Sequence, residues 1–226
     1  AMYGKNSPFM NDLSNEELEN LDPNELTKII DDIFNYEHRV MYYGSKNQKE
    51  VEQMVMNNHQ MPETLTPLPE AKKFEYQNTD NNKVYFVDYD MVQADIMMIA
   101  KGPLFDKTLM PMSELFNEFY GRGLSSIVFQ EIRESKGLAY SAYASYSAPS
   151  KKEDPHFLRA FVGSQPDKLK DAVGEMIKLM NEMPEADKQF EMAKEALLSK
   201  MESERLIKTR VFWSYLNNLD KGLDYD

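Results

Sequence analysis

The sequence predicts an α+β fold, a mostly antiparallel sheet packed with helices. Three observations point there. Strand-like and helix-like stretches come in blocks, strands then helices then strands, not as the steady alternation of a parallel βα sheet. Residues 140–146 and 157–162 alternate at period two and read as a strand pair. Amphipathic runs surround them: Leu109, Met112, Leu115, Phe116, Phe119 and Tyr120 in one, Leu169, Ala172, Val173, Met176, Ile177 and Met180 in another.

From the N-terminus, residues 3–22 are polar, and Ser14-Asn15-Glu16-Glu17 reads as a capping box into a short helix. Asp22-Pro23 then starts a clearer helix, because proline suits the first helical position and Leu26, Ile29, Ile30 and Ile33 recur at helical spacing. Residues 39–43 read as a strand ended by Gly44-Ser45, and 47–58 as a helix through Val51, Met54 and Val55. Pro62, Pro67 and Pro69 mark a linker and a domain boundary. Beyond it, residues 84–87 and 92–100 read as strands, the second apolar on both faces and therefore central. Gly121-Arg122-Gly123 breaks the 109–120 helix, and Ser125 or Ser126 caps the next, which runs to about Glu134. Pro166 opens the helix of Leu169 to Met180, all six apolar positions inward. Residues 185–206 form a longer one with Phe190, Ala193, Leu197 and Met201 on one side. No short-period repeat is present.

Composition narrows the function. The 226 residues suit one large domain, or one domain and part of another. A net charge of −12 argues against phosphate-driven nucleic-acid binding, and it is uneven: residues 1–70 carry 13 acidic and 5 basic groups. No run approaches the ~18 apolar residues of a membrane span, and the polar, acidic first twenty residues do not look like a signal segment. A soluble protein of cytoplasm or periplasm is expected. The absence of cysteine excludes disulfides, thiolate metal sites and Cys nucleophiles. Sixteen methionines read as adaptable core filler.

No catalytic centre is apparent. His38, His59 and His156 stand far apart in sequence, and none belongs to an H-x-x-E-H or H-E-x-x-H arrangement, which places two imidazoles on one helical face. Glu37-His38 reads as a surface pair beside a strand. Gly121-Arg122-Gly123-Leu124-Ser125-Ser126 begins like a dinucleotide-binding loop, but it lacks the third glycine and sits between helices, so it reads as a hinge. Ser141, Ser145 and Ser147 lack a nucleophile elbow. Glu191, Lys194 and Glu195 read as surface salt-bridge partners. What stands out is Arg133-Glu134-Ser135-Lys136-Gly137-Leu138-Ala139-Tyr140-Ser141, which sets Arg133 and Tyr140 seven residues apart across a helix-to-strand turn. Five guanidinium donors and a phenol can grip a carbonyl or an oxyanion. Equally, an Arg at a helix end suits the helix dipole and has a structural reading.

The stretch from Leu115-Phe116-Asn117-Glu118-Phe119-Tyr120 to Ala139-Tyr140-Ser141 resembles the non-catalytic half of the insulinase/pitrilysin (inverzincin) zinc metallopeptidases, a family that includes the mitochondrial processing peptidase and bacterial relatives. The resemblance covers most of residues 84–226. It implies domains of the clamshell type and a partner half in which two His and a distal Glu hold zinc. The H-x-x-E-H helix corresponds here to Leu115-Phe116-Asn117-Glu118-Phe119, so Glu118 stands at the general-base position while both histidines are apolar. The resemblance further implies that Arg133 and Tyr140 are substrate-binding residues contacting the scissile region of an unfolded peptide. No catalytic or metal-binding residue is then expected in this chain, which holds no cofactor itself, the zinc being expected in the catalytic half. Its partners would be that zinc-binding half or subunit and a peptide substrate, with no nucleic acid and no membrane span. It would form part of a metallopeptidase, a hydrolase, without activity alone. An inert binding or scaffold subunit of the same fold is the alternative. Residues 1–66 would be the closing part of a preceding α+β domain plus the linker, and 67–226 most of an inactive peptidase-like domain, truncated at its C-terminus. Residues 24–58 would then be able to dock as the missing closing section.

Overall fold

The computed structural model of the chain describes residues 2–205, 207–208 and 210–223. Two compact units are formed, residues 1–77 and 78–226.

The first unit contains α1 (Asn15–Glu19), α2 (Pro23–Ile33) and α3 (Gln48–Asn58). The capping box at α1 forms as expected: Ser14 Oγ accepts the Glu17 amide at 3.3 Å, and the Glu17 carboxylate accepts the Ser14 amide at 2.8 Å. The Ser14 amide and the Ser14 hydroxyl, both donating to the Glu17 carboxylate at 2.8 Å, hold that carboxyl below its ordinary pKa. Asp22 caps α2, with Pro23 in its first turn. Asn47 and Glu50 make a second capping box, at α3, that pattern reading missed. Leu26, Ile29, Ile30 and Ile33 do lie on a helix, but each is about half exposed, and no described residue of this unit is buried.

Two expectations fail here. Residues 39–43 are not a strand. A strand exists only by pairing, and the one bridge among this unit's described residues joins Tyr36 to Thr66 instead, with the Glu37 amide donating to the Thr66 carbonyl at 2.9 Å. Tyr42 turns its hydroxyl to accept the Lys46 amide at 3.2 Å, curling the chain away from an extended course. Nor is His38 paired with Glu37 beside a strand. Its Nε2 meets His59 Nε2 at 2.7 Å, and its Nδ1 meets the Tyr36 carbonyl at 2.7 Å.

The second unit contains β1 (Ala94–Leu104), α4 (Met110–Phe116), β2 (Ser141–Ser147), β3 (Pro155–Ser164), α5 (Leu169–Asn181), α6 (Asp187–Ser203) and α7 (Arg210–Asp220). α4 continues into a π-helical turn, Asn117–Gly121. The helix that follows starts at residue 127 and is π-helical over Phe129–Ser135. Ser126 caps it, its Oγ accepting the Phe129 amide. The sheet is antiparallel in the order β1-β3-β2, and its register sets Met97, Phe161 and Tyr143 side by side.

That order corrects the reading of residues 92–100 as a central strand. β3 is central, because it alone pairs on both sides, and β1 is an edge. Residues 84–87 form no strand at all and stand exposed. α7 was not anticipated, and its apolar residues lack a buried face among the described residues.

One face of the sheet carries the core. Ala142, Ala144, Ala160 and Val162 are small enough to let helices sit close, and Phe119, Tyr120, Ile127, Val128, Ile132, Ala172, Met176 and Leu179 fill the layer above. Each large side chain so buried contributes about 1.5–3 kcal/mol of transfer free energy. On α5 the inward positions are Ala172, Met176 and Leu179. Ile177 points outward and is exposed, against expectation, since it lies a full 100° around the helix from Met176. On α6 only Ala193 is buried. Phe190 rests edge-on against Phe119 at 5.6 Å, whereas Met201 is exposed. Glu191 and Lys194 form the expected surface pair at 3.4 Å. Among the described residues, no helix is long and apolar enough to cross a membrane.

Two buried polar groups lie at the edges of this core. Tyr120 stacks on Phe116 at 4.9 Å, its hydroxyl has no hydrogen-bond partner among the described residues, and burial pushes its pKa up to about 12. His156 is fully buried, stacked on Tyr146 at 5.0 Å and on Phe105 at 5.9 Å, and its Nε2 accepts the Asp106 amide at 3.3 Å. Burial lowers its pKa, opposed by the Asp106 carboxylate.

The imidazole is therefore neutral in the native protein and takes up a proton more readily when unfolded. Its contribution to stability is complete above about pH 6.5 and is lost as pH falls through the lowered native value. Urea midpoints measured from pH 7.5 to 5 should fall more steeply for the wild type than for His156→Phe.

A second prediction concerns glycines. A Cβ on Gly121 would lie 1.9 Å from the Ala144 carbonyl oxygen, whereas one on Gly174 in α5 would meet nothing within 4 Å. Gly121→Ala should destabilise by about 1–3 kcal/mol through forced displacement of backbone. Gly174→Ala should stabilise by about 0.4–1 kcal/mol. Equilibrium urea unfolding of both variants tests the contrast.

Candidate functional site

The Arg133–Tyr140 segment is built by a helix ending against a strand. Leu138 N–H donates to the Ile132 carbonyl at 2.9 Å and Gly137 N–H to the Arg133 carbonyl at 3.1 Å. The bond from Gly137 to Arg133 is that of an αL cap, and it needs a left-handed residue just past the helix end. Gly137 supplies it with φ +57°. Lys136-Gly137-Leu138 is thus a stop signal legible in the sequence.

The turn is then tied to the body of the unit. Tyr140 N–H donates to the Gly163 carbonyl at 2.9 Å, setting the first pairing of β2 with β3. The buried Ser164 hydroxyl donates to the Leu138 carbonyl at 2.5 Å. Lys168 Nζ donates to the Gly137 carbonyl at 3.1 Å, and Lys136 pairs with Glu175 of α5 at 2.5 Å. Ile132 and half-buried Leu138 anchor the same turn in the core. The backbone that carries Arg133 and Tyr140 is therefore held from several sides.

Both side chains remain accessible. Arg133 stacks its guanidinium over the Phe129 ring at 4.9 Å and approaches Glu134 at 3.8 Å, with 46% of the side chain exposed. An ion pair that exposed is worth little, so most of the guanidinium's donors are uncommitted. Tyr140 is 56% exposed, and its hydroxyl accepts a long bond from Gln165 Nε2 at 3.4 Å. The two residues thus occupy the two ends of one fixed turn, each with hydrogen-bonding capacity to spare.

The helix at 115–119 is committed elsewhere. Phe119 is buried in the core and Leu115 packs against it. Glu118 is half-buried. The residues present do not fit a zinc ion, because the two positions flanking Glu118 on its own helical face offer hydrocarbon and no donor. Among the described residues, no group of three or more His, Asp or Glu is placed to hold a metal.

Between Phe116 and Glu118 lies a residue that sequence reasoning missed. Asn117 is buried, its Nδ2 donates to the Tyr146 carbonyl at 3.0 Å, and its Oδ1 accepts the Tyr146 amide at 2.7 Å. The carboxamide mimics a neighbouring strand and clamps α4's end to β2. Only its polar character at a core-facing helical position signals it in advance. Gly121, one turn on, lets the helix backbone approach the Ala144 carbonyl, which gives the Gly121-Arg122-Gly123 hinge its structural reason.

A three-stranded antiparallel sheet packed under helices, with an accessible Arg–Tyr turn at its edge, makes this an α+β domain. A family profile described as the peptidase M16 inactive domain matches residues 20–197. The chain accordingly belongs to the M16 family, the insulinase/pitrilysin family of the resemblance, and to its non-catalytic portion. Its fold is similar to that of a protease from Helicobacter pylori, at 16% identity and TM-score 0.63, over 92% of this chain and 51% of that one. A peptidase M16 inactive domain from Pseudomonas fluorescens matches at 15% identity and TM-score 0.49, over 61% of this chain and 33% of that one. The chain thus spans about half the length of the H. pylori protein. No curated protein matches.

Replacing Asn117 by Ala leaves the Tyr146 N–H and C=O without their partner. The expected loss is about 1–3 kcal/mol for each group kept from water, read as a lower urea midpoint at unchanged slope. Faster amide exchange at Tyr146 should accompany it.

Proposed function

We infer that the chain is the substrate-positioning portion of a zinc metalloendopeptidase acting on unfolded peptides. Residues 1–66 serve as the closing part of a preceding domain with its linker, and residues 67–226 as the inactive domain. Zinc is held by a catalytic half, on the same chain or a separate subunit. Arg133 and Tyr140 contact the scissile region of the peptide, the guanidinium and phenol donating to its carbonyl oxygen as negative charge develops there. What supports this is the fixed turn with two accessible donors at its ends, next to a helix that has no metal ligands of its own. Membership of the inactive M16 domain points the same way, as does the likeness in fold to a protein that is itself a protease.

The alternative is an inert binding or scaffold subunit. The apolar face of α2, half exposed at Leu26, Ile29, Ile30 and Ile33, favours some packing partner.

The experiment pairs the chain with a zinc-bearing M16 half and follows cleavage of an unstructured fluorogenic peptide. Arg133→Ala and Tyr140→Phe should each lower kcat by about 10²–10³-fold, the usual cost of one oxyanion donor. Association of the halves and the urea midpoint should stay unchanged, since both side chains are exposed. Wild-type cleavage rates in both variants would favour the scaffold. Cleavage by this chain alone, sensitive to a zinc chelator, would overturn the reading outright.

A further inference from the structure

Two histidines that stand 21 residues apart in sequence meet in the first unit. His38 Nε2 lies 2.7 Å from His59 Nε2, with the ring centroids 4.9 Å apart and the ring planes at 84°. The rings therefore point at each other through their outer nitrogens. His38 Nδ1 lies 2.7 Å from the Tyr36 carbonyl oxygen, which can only accept, so Nδ1 carries the proton. In the neutral ring His38 Nε2 then presents a lone pair, and His59 Nε2–H donates to it. An imidazole whose other nitrogen donates to a backbone carbonyl has the tautomer and the orientation of a metal ligand.

The backbone beneath both rings is fixed. Tyr36 is bridged to Thr66, whose N–H donates to the Asn35 carbonyl at 2.7 Å. His59 caps the C-terminal end of α3, its N–H donating to the Val55 carbonyl at 2.8 Å, and Phe34 meets its ring edge-on at 6.0 Å. An ion about 2.0–2.1 Å from each of two nitrogens at a tetrahedral angle sets them about 3.3 Å apart. A small rotation of the exposed His38 side chain provides that opening. The first unit also lacks the usual source of stability, since none of its described residues is buried. Folded units below about 80 residues with so little core are commonly stapled by a metal ion. A link between His38 and His59 ties the segment after α2 to the end of α3.

We propose that His38 and His59 form a two-imidazole site for a borderline divalent transition-metal ion such as Zn²⁺, the class that imidazole suits. On binding, His59 carries its proton on Nδ1, and the ion receives the lone pairs of both Nε2 atoms. No group of three His, Asp or Glu is assembled for a metal among the described residues, so water completes the coordination sphere. The ion acts as a staple of the first unit and is separate from the zinc of the catalytic half. The proposal goes beyond the substrate-positioning role of Arg133 and Tyr140 and does not rest on it.

Zinc chloride titrated into the full chain at pH 7.5 tests the site. Calorimetry should find one tight site per chain. The imidazole nitrogen resonances of His38 and His59 should shift together, while those of the buried His156 stay fixed. This readout uses the wild type and needs no variant to fold. His38→Gln and His59→Gln should each weaken binding at least about tenfold, the least that loss of even an outer partner costs a metal site. Zinc should raise the thermal midpoint of the wild type and of neither variant. Imidazole resonances that do not respond to zinc would leave a hydrogen-bonded pair only and overturn the proposal. So would a shift confined to one of the two rings, or wild-type affinity in either variant.

Discussion

The close contact between the end of α4 and the outer edge of β2 sets the geometry of everything near the candidate site. It has two parts, a glycine with no side chain to hold the backbones apart and an asparagine whose carboxamide completes the strand's hydrogen bonds. Both sit in a π-helical turn, where one extra residue per turn changes which side chains face the sheet. With that turn seated, Phe119 and Tyr120 face the alanine-lined sheet, and the next helix enters at an angle that buries Ile127, Val128 and Ile132. The αL-capped turn at Gly137 then delivers Tyr140 to the start of β2. Arg133 and Tyr140 are thus positioned by packing some twenty residues upstream of them.

The same contact explains why the 115–119 helix is unsuited to metal chemistry, in physical terms. A zinc site needs two imidazoles on one accessible face, with space and water for the ion's remaining coordination. Here that face is turned into the core, Phe119 edge-on against Phe190 and Leu115 packed against the same layer. Binding strength for the helix has been obtained from hydrocarbon burial, which excludes the water that zinc-assisted hydrolysis requires. Glu118 keeps its place at the edge of that layer without a reacting partner.

The legible part of this structure was local. Ser14 with Glu17 and Asp22 with Pro23 specify helix starts through bonds among neighbours, and both formed. The strand pair at β2 and β3 was legible because period-two alternation reports one buried face. Which strand is central was not, because Ile96 to Ile99 read equally well as buried on both faces or as an edge whose outer side is only partly covered. Residues 39–43 have strand-forming side chains, yet the bridge beside them forms at Tyr36 and Thr66 instead. The Arg133–Tyr140 spacing was legible in the sequence, while the substrate-binding role given to the pair came by resemblance alone. Asn117 left only the faint signal of a polar residue at a core-facing helical position, since a single buried carboxamide has no periodic signature.

The two sheet edges are met differently. Asn117 closes β2 with a single residue whose conformation is fixed by the helix that carries it, so the closure costs little further ordering. On β1 the Lys101 amide donates to Thr79 Oγ1, while the outward amides and carbonyls of Asp95, Met97 and Ile99 have no hydrogen-bond partner among the described residues. The closed edge is that of β2, the strand into which the Arg133–Tyr140 turn leads, so the two bonds of Asn117 also hold the strand at whose start Tyr140 stands.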